Sequence, residues 1–296
     1  MEIRVLQYFL TVVREESISR AAEALHITQP TLSRQLAQLE EETGVQLFKR
    51  GARRIALTQE GMLLRRRAEE IVELVERTRA ELPLQDKEVE GLVTLGVGEV
   101  AGLEILTRLC GTFREAHPKV SFDLYTATAD AVQERMEHGL VDIGLLLEPV
   151  DMEKFEYLRL PVRERYALLM RPDDPLAQKA HVTREDLAGL PLMLPQRLNV
   201  QSELANWFGK GLEALDIAFT GNLKSSKLPA VHQGWGYAIV VEGAPGVLNP
   251  DYVVSRPLYP ELTAGTVLAW KRGQTFGRAT EKFIEHIRCF SGMDQP

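Results

Sequence analysis

At 296 residues the chain has room for two or three domains of ordinary size. Its 45% hydrophobic and 26% charged residues are globular composition and exclude a mainly disordered or fibrous protein. A net charge of −7, from 35 Lys and Arg against 42 Asp and Glu, means that any affinity for nucleic acid must be a local property. No uncharged apolar run reaches the ~18–20 residues of a membrane helix. Met1-Glu2-Ile3-Arg4 shows no basic-then-apolar leader, and two cysteines, Cys110 and Cys289, cannot build a disulfide framework. The expected compartment is therefore a reducing cytoplasm, with no membrane partner.

The first elements are short helices. Val5, Phe9 and Val12 share one helical face. A second helix starts after Ser17 or Ser19, either of which can cap it, and Ala21, Ala22 and Leu25 give it a small-residue face. His26-Ile27 makes a turn, and Thr28 reads as the N-cap of a third helix with Pro30 in its first turn. In that helix Leu32, Leu36 and Leu39 fall within about 60° of one another and must face a core. Pro30, Arg34, Ala37 and Gln38 then look outward, flanked by Thr31 and Ser33. Arg pairs bidentately with guanine, Gln with adenine, and Thr or Ala touches a thymine methyl, so this face suits base edges. The outline is a helix-turn-helix, followed by a hairpin around Gly51 whose cations would sit on phosphates. On pattern alone, a small helical subdomain with a solvated polar face is the competing reading.

The stretch from Ser17 to Leu25 (SISRAAEAL), Thr28 to Arg34 (TQPTLSR), Leu39-Glu40, Gly44, Leu47 to Arg50 and Leu57 to Gly61 (LTQEG) resembles the winged helix-turn-helix signature of LysR-type transcriptional regulators. The resemblance runs without a gap over nearly all of residues 3–61, and the rest of the chain has the family's length and order. It implies a bacterial, multidomain α/β regulator. Residues 1–58 would form a winged helix-turn-helix, 59–90 a long linker helix, and 91–296 a two-lobed α/β effector domain of the periplasmic-binding-protein type. Recognition-helix contacts would be Gln29, Pro30, Thr31, Ser33 and Arg34, with wing contacts from Arg50, Arg53 and Arg54. Implied partners are double-stranded promoter DNA, a second copy of the chain in a homodimer and commonly a dimer of dimers, a small organic effector, and RNA polymerase in the case of an activator.

Residues 59–90 are charge-rich and read as one helix ending near Pro83. Leu57, Gly61, Leu64, Ala68, Ile71, Val75, Thr78 and Leu82 alternate at spacings of four and three, a heptad seam. Arg65-Arg66-Arg67 and several glutamates lie off the seam. Dimerisation through Leu64, Ala68, Ile71, Val75, Thr78 and Leu82 is expected, the alternative being a seam that packs on the chain's own core.

From residue 91, strand patterns (93–95, 121–124, 141–145) alternate with helical ones (101–116, 129–139), the mark of βαβ units and a parallel sheet. Gly96-Val97-Gly98-Glu99-Val100-Ala101 mimics a dinucleotide fingerprint, the strongest hint of an enzyme. The acidic residue expected at the end of the second strand is missing, and Asp123 lies inside that strand. The six histidines include no metal-spaced pair, and neither a G-x-S-x-G elbow nor a P-loop occurs, so no catalytic residue, metal or cofactor is assigned. Both thiols are expected to be buried and inert.

Within the resemblance, Gly91 to Gly96 and Gly139 to Gly144 match the first and third strands of the effector domain, and Pro172 to Ala177 and Gln233 to Ile239 match landmarks of the second lobe. The lobes would be 91–160 plus 266–290, and 161–265, joined by two crossovers. A cleft beyond the carboxyl ends of the strands would take the effector. The candidates are Gly98, Glu99, Val100 and Thr128 on the first lobe, and Gln196, Arg197, Ser225 and Ser226 on the second. Relatives often carry Ser or Thr in the turn where this chain has Gly98-Glu99-Val100. Arg197 offers a fork to a carboxylate, whereas Glu99 would repel an anion and welcome an amine. A small carboxylate or an amino acid is the expected effector, unless Glu99 merely caps its own helix. A regulator that works without a ligand also fits this sequence.

Overall fold

The computed structural model describes residues 1–49, 55–81, 88–209, 211–243 and 248–293. The chain divides into two units, Met1–Leu84 and Gln85–Pro296.

The first unit holds α1 (Ile3–Glu15), α2 (Ile18–Ala24), α3 (Gln29–Thr43) and α4 (Gln59–Glu81). Leu6, Phe9 and Val12 of α1 meet Ala21 and Ala22 of α2 and Leu32, Leu36 and Leu39 of α3 in one buried core. Two alanines at the crossing let the helix axes approach closely. Ser17, not Ser19, caps α2, its Oγ accepting from the Arg20 N–H at 3.4 Å. The chain then turns with His26 in the left-handed region at φ 54°. Beyond α3 the hairpin stem is present: Phe48 bridges Leu57, and the Lys49 N–H donates to the Ala56 carbonyl at 2.8 Å. Glu40 of α3 ties this stem down, one carboxylate oxygen accepting from the N–H groups of Leu47 at 2.6 Å and Phe48 at 3.2 Å.

Thr58 caps α4 by accepting from the Gly61 N–H at 2.9 Å. At Gly61 the helix passes so close to the hairpin that a Cβ would lie 2.2 Å from the Leu47 carbonyl oxygen. The expected seam divides here. Ala68 is fully buried in the unit's own core, and Leu64 and Val72 pack against that core. Leu64 and Ala68 are thus intramolecular, a correction to the expected dimer seam. Ile71 (36% exposed) and Leu74 (42%) instead line an outward stripe with Leu63 (56%). Val75 is half-buried, Thr78 is exposed, and Leu82 lies outside the described residues.

The second unit contains β1 (Gly91–Val97), α5 (Gly102–Ala116), β2 (Val120–Thr126), α6 (Ala129–Glu137), β3 (Ile143–Leu147), β4 (Phe155–Met170), β5 (Val182–Thr183), β6 (Leu192–Pro195), α7 (Leu198–Phe208), β7 (Ile217–Gly221), α8 (Leu228–His232), β8 (Tyr237–Val241), β9 (Val254–Tyr259), β10 (Thr263–Lys271) and α9 (Arg278–Met293). The main strand order is β2-β1-β3-β10-β4-β8-β6-β7, with β9 on β4 and β5 on β9. Pairs β1–β2, β1–β3, β6–β7 and β6–β8 are parallel, as alternating strands and helices require.

The 16-residue β4 belongs to two lobes: Phe155–Arg165 pair with β10, and Tyr166–Met170 with β8 and β9. The first lobe has apolar layers on both sheet faces, one from α5 and α9 (Leu106, Phe113, Phe283, Ile287) and one from α6 (Val132, Met136). The second lobe has layers from α7 (Val200, Leu204, Trp207) and from α8 (Val231). Its two sequence landmarks meet, the Tyr237 hydroxyl donating to Asp174 Oδ2 at 2.6 Å. Cys110 is half-buried, its thiol pushed up to about 12 by desolvation, whereas Cys289 is exposed, against expectation, on the outer face of α9.

Candidate functional sites

In the first unit, Gln29, Pro30 and Arg34 are exposed at the start of α3, with Thr31 and Ser33 half-buried beside them. Three leucines face the core, and Gln29, Pro30 and Arg34 remain exposed on the other side of the helix. Thr28 occupies the cap position, but its Oγ1 bonds the Thr31 hydroxyl at 2.8 Å instead of a backbone N–H. Gln29 donates to the Ser33 hydroxyl at 3.1 Å, which holds the first turn of polar groups in one arrangement. Gln38 stands two turns further along and donates to Glu42 at 3.2 Å; Glu42 in turn pairs with the N-terminal ammonium at 2.8 Å. The amide of Gln38 is thus engaged at the far end of the face. Arg50, Arg53 and Arg54 lie outside the described residues.

In the second unit a cavity of about 640 Å³, open mouth included, opens between the lobes. Gly98, Glu99, Val100, Thr128 and Arg197 stand in its wall, as do Tyr166, Leu147, Val200, Ile239, Lys224 and Lys227. Gln196, Ser225 and Ser226 do not. The Gln196 N–H is spent on the Gly221 carbonyl, and the Ser226 hydroxyl turns back to the Leu223 carbonyl at 2.7 Å. Thr128 caps α6, accepting from the Ala131 N–H at 3.5 Å.

Two side chains reach across the cavity in opposite directions. Glu99, from the first lobe, accepts from the backbone N–H groups of Lys224 (2.6 Å) and Ser225 (3.1 Å) in the second. It does not cap its own helix. Arg197, from the second lobe, donates to Asp130 Oδ1 through Nε (3.0 Å) and a terminal nitrogen (2.9 Å), and to the carbonyls of Leu147 and Pro149 at 3.1 and 2.8 Å. Its fork is already filled by the protein, and only 9% of the side chain is exposed.

Lys224 and Lys227 were not foreseen. They bracket the two serines that were, but a lysine gives no sign in sequence of being buried. Lys227 is 2% exposed and donates to the Gly221 and Leu223 carbonyls at 3.0 and 3.3 Å. Lys224 is 8% exposed and donates to the Glu242 carbonyl at 2.7 Å. Burial lowers both, Lys227 to about 8, with Glu99 opposing the shift in each case. Arg197, Lys224 and Lys227 thus line a mostly apolar space, with Glu99 the carboxylate that stands in the same wall and Glu164, Glu242 and Glu203 acting on them from behind it.

The glycine-rich turn is explained without a nucleotide. Gly96 sits under Val132, where a Cβ would come within 2.3 Å of its methyl group. At the start of α5, where a pyrophosphate would bind, the buried Glu164 carboxylate already accepts from the Gly102 N–H at 3.1 Å. Among the described residues no cluster of His, Cys, Asp and Glu could hold a metal, and no helix is long and apolar enough to cross a membrane.

The profile of the LysR substrate binding domain matches residues 86–290, and that of the bacterial regulatory helix-turn-helix proteins of the lysR family matches residues 3–62. The Hca operon transcriptional activator HcaR of Escherichia coli K12 is 28% identical over 280 residues, covering 93% of each chain. The regulator AlsR of Bacillus subtilis 168 is 32% identical over 201 residues, 65% of this chain and 64% of that one. The crystal structure of the LysR-family regulator CbnR superposes with a TM-score of 0.76 at 21% identity over 98% of this chain and 99% of that one. CbnR has also been crystallised full-length with its target DNA, and that chain superposes with a TM-score of 0.74 at 22% identity, over the same 98% and 99%.

Proposed function

From the premise that the chain belongs to the LysR family of DNA-binding transcriptional regulators, which are not enzymes, we propose that it acts in the cytoplasm as a homo-oligomeric regulator whose effector is a small organic carboxylate bound between the lobes. The observation that carries the effector class is the pair of buried ammonium groups, Lys224 and Lys227, in the wall of a mostly apolar cavity. Each has more N–H donors than the carbonyls beside it accept. A carboxylate placed there gains charge-assisted hydrogen bonds in a low-dielectric setting. Glu99 is engaged with two backbone N–H groups, which weighs against an amine as the primary recognised group and so favours a plain acid over an amino acid.

At the DNA end, Arg34 and Gln29 read base edges from the tip of α3, and the wing arginines contact phosphates. The outward stripe of α4 joins two copies, with further pairing to a dimer of dimers. An activator of this kind meets RNA polymerase at the promoter.

A gel shift on a promoter fragment first located by footprinting with the full-length protein, titrated with a panel of small organic acids, tests the effector reading. At least one acid should change the affinity or the mobility of the complex and raise the melting temperature of the free protein. Lys227→Met should abolish both responses while DNA binding without acid persists. If no acid in a broad panel changes either quantity, or if Lys227→Met responds like the parent chain, the carboxylate assignment fails.

A further inference from the structure

Tyr166 is 1% exposed and stands in the cavity wall, at the first residue of β4 to pair with the second-lobe sheet. Its hydroxyl is buried and has no hydrogen-bond partner among the described residues. On α7, Glu203 lies one turn beyond the cavity-lining Val200, and its Oε2 is likewise buried without a partner. A phenol desolvated and unpaired is an expensive arrangement that a phenylalanine of the same shape would avoid. Glu99, Arg197, Lys224 and Lys227, in the same wall, each have at least one hydrogen-bond partner.

We infer that the Tyr166 hydroxyl is the specificity-determining group of the cavity, reserved for a hydroxyl or carbonyl oxygen on the effector distinct from its carboxylate. The effector is then an apolar acid bearing one further neutral oxygen, a hydroxy or oxo acid, and not a plain hydrocarbon acid. This deepens the carboxylate reading above and rests on it. The chemistry is complementary at both ends: ammonium groups for the acid, an uncharged donor for the second oxygen, and Leu147, Val200 and Ile239 for the apolar body. Burial, reinforced by the negative charge of Glu203, pushes the tyrosine far above its usual range, so it stays a neutral donor. A site built to hydrogen-bond one ligand oxygen rejects the analogue that lacks it, because the protein group is then left unpaired.

The test uses the full-length protein and matched acids that differ by one oxygen: benzoate with its 3- and 4-hydroxy derivatives, and hexanoate with 6-hydroxy- and 6-oxohexanoate. Dissociation constants come from calorimetry or from thermal shifts. In the parent chain at least one oxygenated member should bind about tenfold or more tightly than its plain counterpart. Tyr166→Phe should reduce that preference to within twofold while keeping the affinity for the plain acid. Without ligand, Tyr166→Phe should melt higher than the parent, since it deletes an unpaired buried group and breaks no bond. A lower melting temperature for the ligand-free variant overturns the inference, because the hydroxyl then has a partner. Equal affinities for plain and oxygenated acids in the parent, or a preference that survives in Tyr166→Phe, overturn it as well. If plain acids bind and the oxygenated ones do not bind better, the carboxylate reading stands and this inference alone falls. If no acid shifts the parent chain, the carboxylate reading falls and takes this inference with it.

Discussion

Lys227 keeps an ammonium group where water scarcely reaches, and its protonation can be followed. In an unfolded chain it would titrate near 10.5, and in the fold burial lowers this to about 8. Between those values the unfolded chain binds more protons than the folded one, so stability rises with pH across the window and the gain is lost as pH falls through about 8. A shift of that size corresponds to roughly 3 kcal/mol at its fullest. Melting curves from pH 7 to 10.5 should show this rise, and Lys227→Met should flatten it, leaving the smaller slope due to Lys224, which is shifted the same way. Binding of an organic acid should weaken over the same range, as the receiving cation is lost. Arg34 offers a second measurement at this scale: Arg34→Ala should cost about 1–3 kcal/mol on the operator and relax preference at one base pair. Gel shifts on single-base operator variants read both effects. The sequence made Arg34 legible because helix periodicity alone sets its direction. It could not show that Lys224 and Lys227 turn inward, since their burial depends on how strands β6, β7 and β8 assemble far apart in sequence.

Helix α4 shows how an element can carry two apolar faces in one heptad pattern. Counting fours and threes found the seam, but not which half of it faces the chain's own core. The inner face (Gly61, Leu64, Ala68, Val72) packs within the first unit, while Leu63, Ile71 and Leu74 fall within about 80° of one another on the outer side. The two faces predict different phenotypes. Ile71→Glu or Leu74→Glu should lower the sedimenting mass and leave the melting temperature of the DNA-binding unit little changed. Ala68→Glu should unfold that unit, because an unpaired charge cannot be buried in its core. If Ile71→Glu and Leu74→Glu both sediment like the parent, the outer stripe is not the oligomer contact. Gly61 tests the same helix at its start: a methyl group there would meet the Leu47 carbonyl oxygen at 2.2 Å. Gly61→Ala should cost about 1–3 kcal/mol in chemical denaturation, although alanine is the better helix former.

At the scale of the whole molecule, the βαβ character of the second unit was legible from periodicity, whereas the order of domains and the cleft between two lobes were what the family resemblance implied. Arg197 was anticipated as a free fork, whereas it is occupied by Asp130 and two carbonyls; partners 50 and 67 residues away leave no trace in the local pattern. Glu99 was weighed between an amine receptor and a cap of its own helix; it makes no such cap, and its carboxylate spans 125 residues to the turn before α8. Both sets of contacts lie between the lobes, the level at which a one-dimensional pattern holds least information.

Strand β4 sets the mechanics of those lobes. Sixteen residues of continuous strand extend roughly 53 Å, and both ends are hydrogen-bonded into sheets. A loop hinge would allow the lobes to swing through large angles at little cost, like a door. A shared strand permits torsion, because bending it sharply would break ladder bonds in one sheet or the other. A change in the cavity would therefore be expected as a small rotation about the strand direction, opposed by the sheets on either side. Such a spring returns to its rest angle once the load leaves, so the response would be graded and reversible on release of ligand, and would need no separate resetting step.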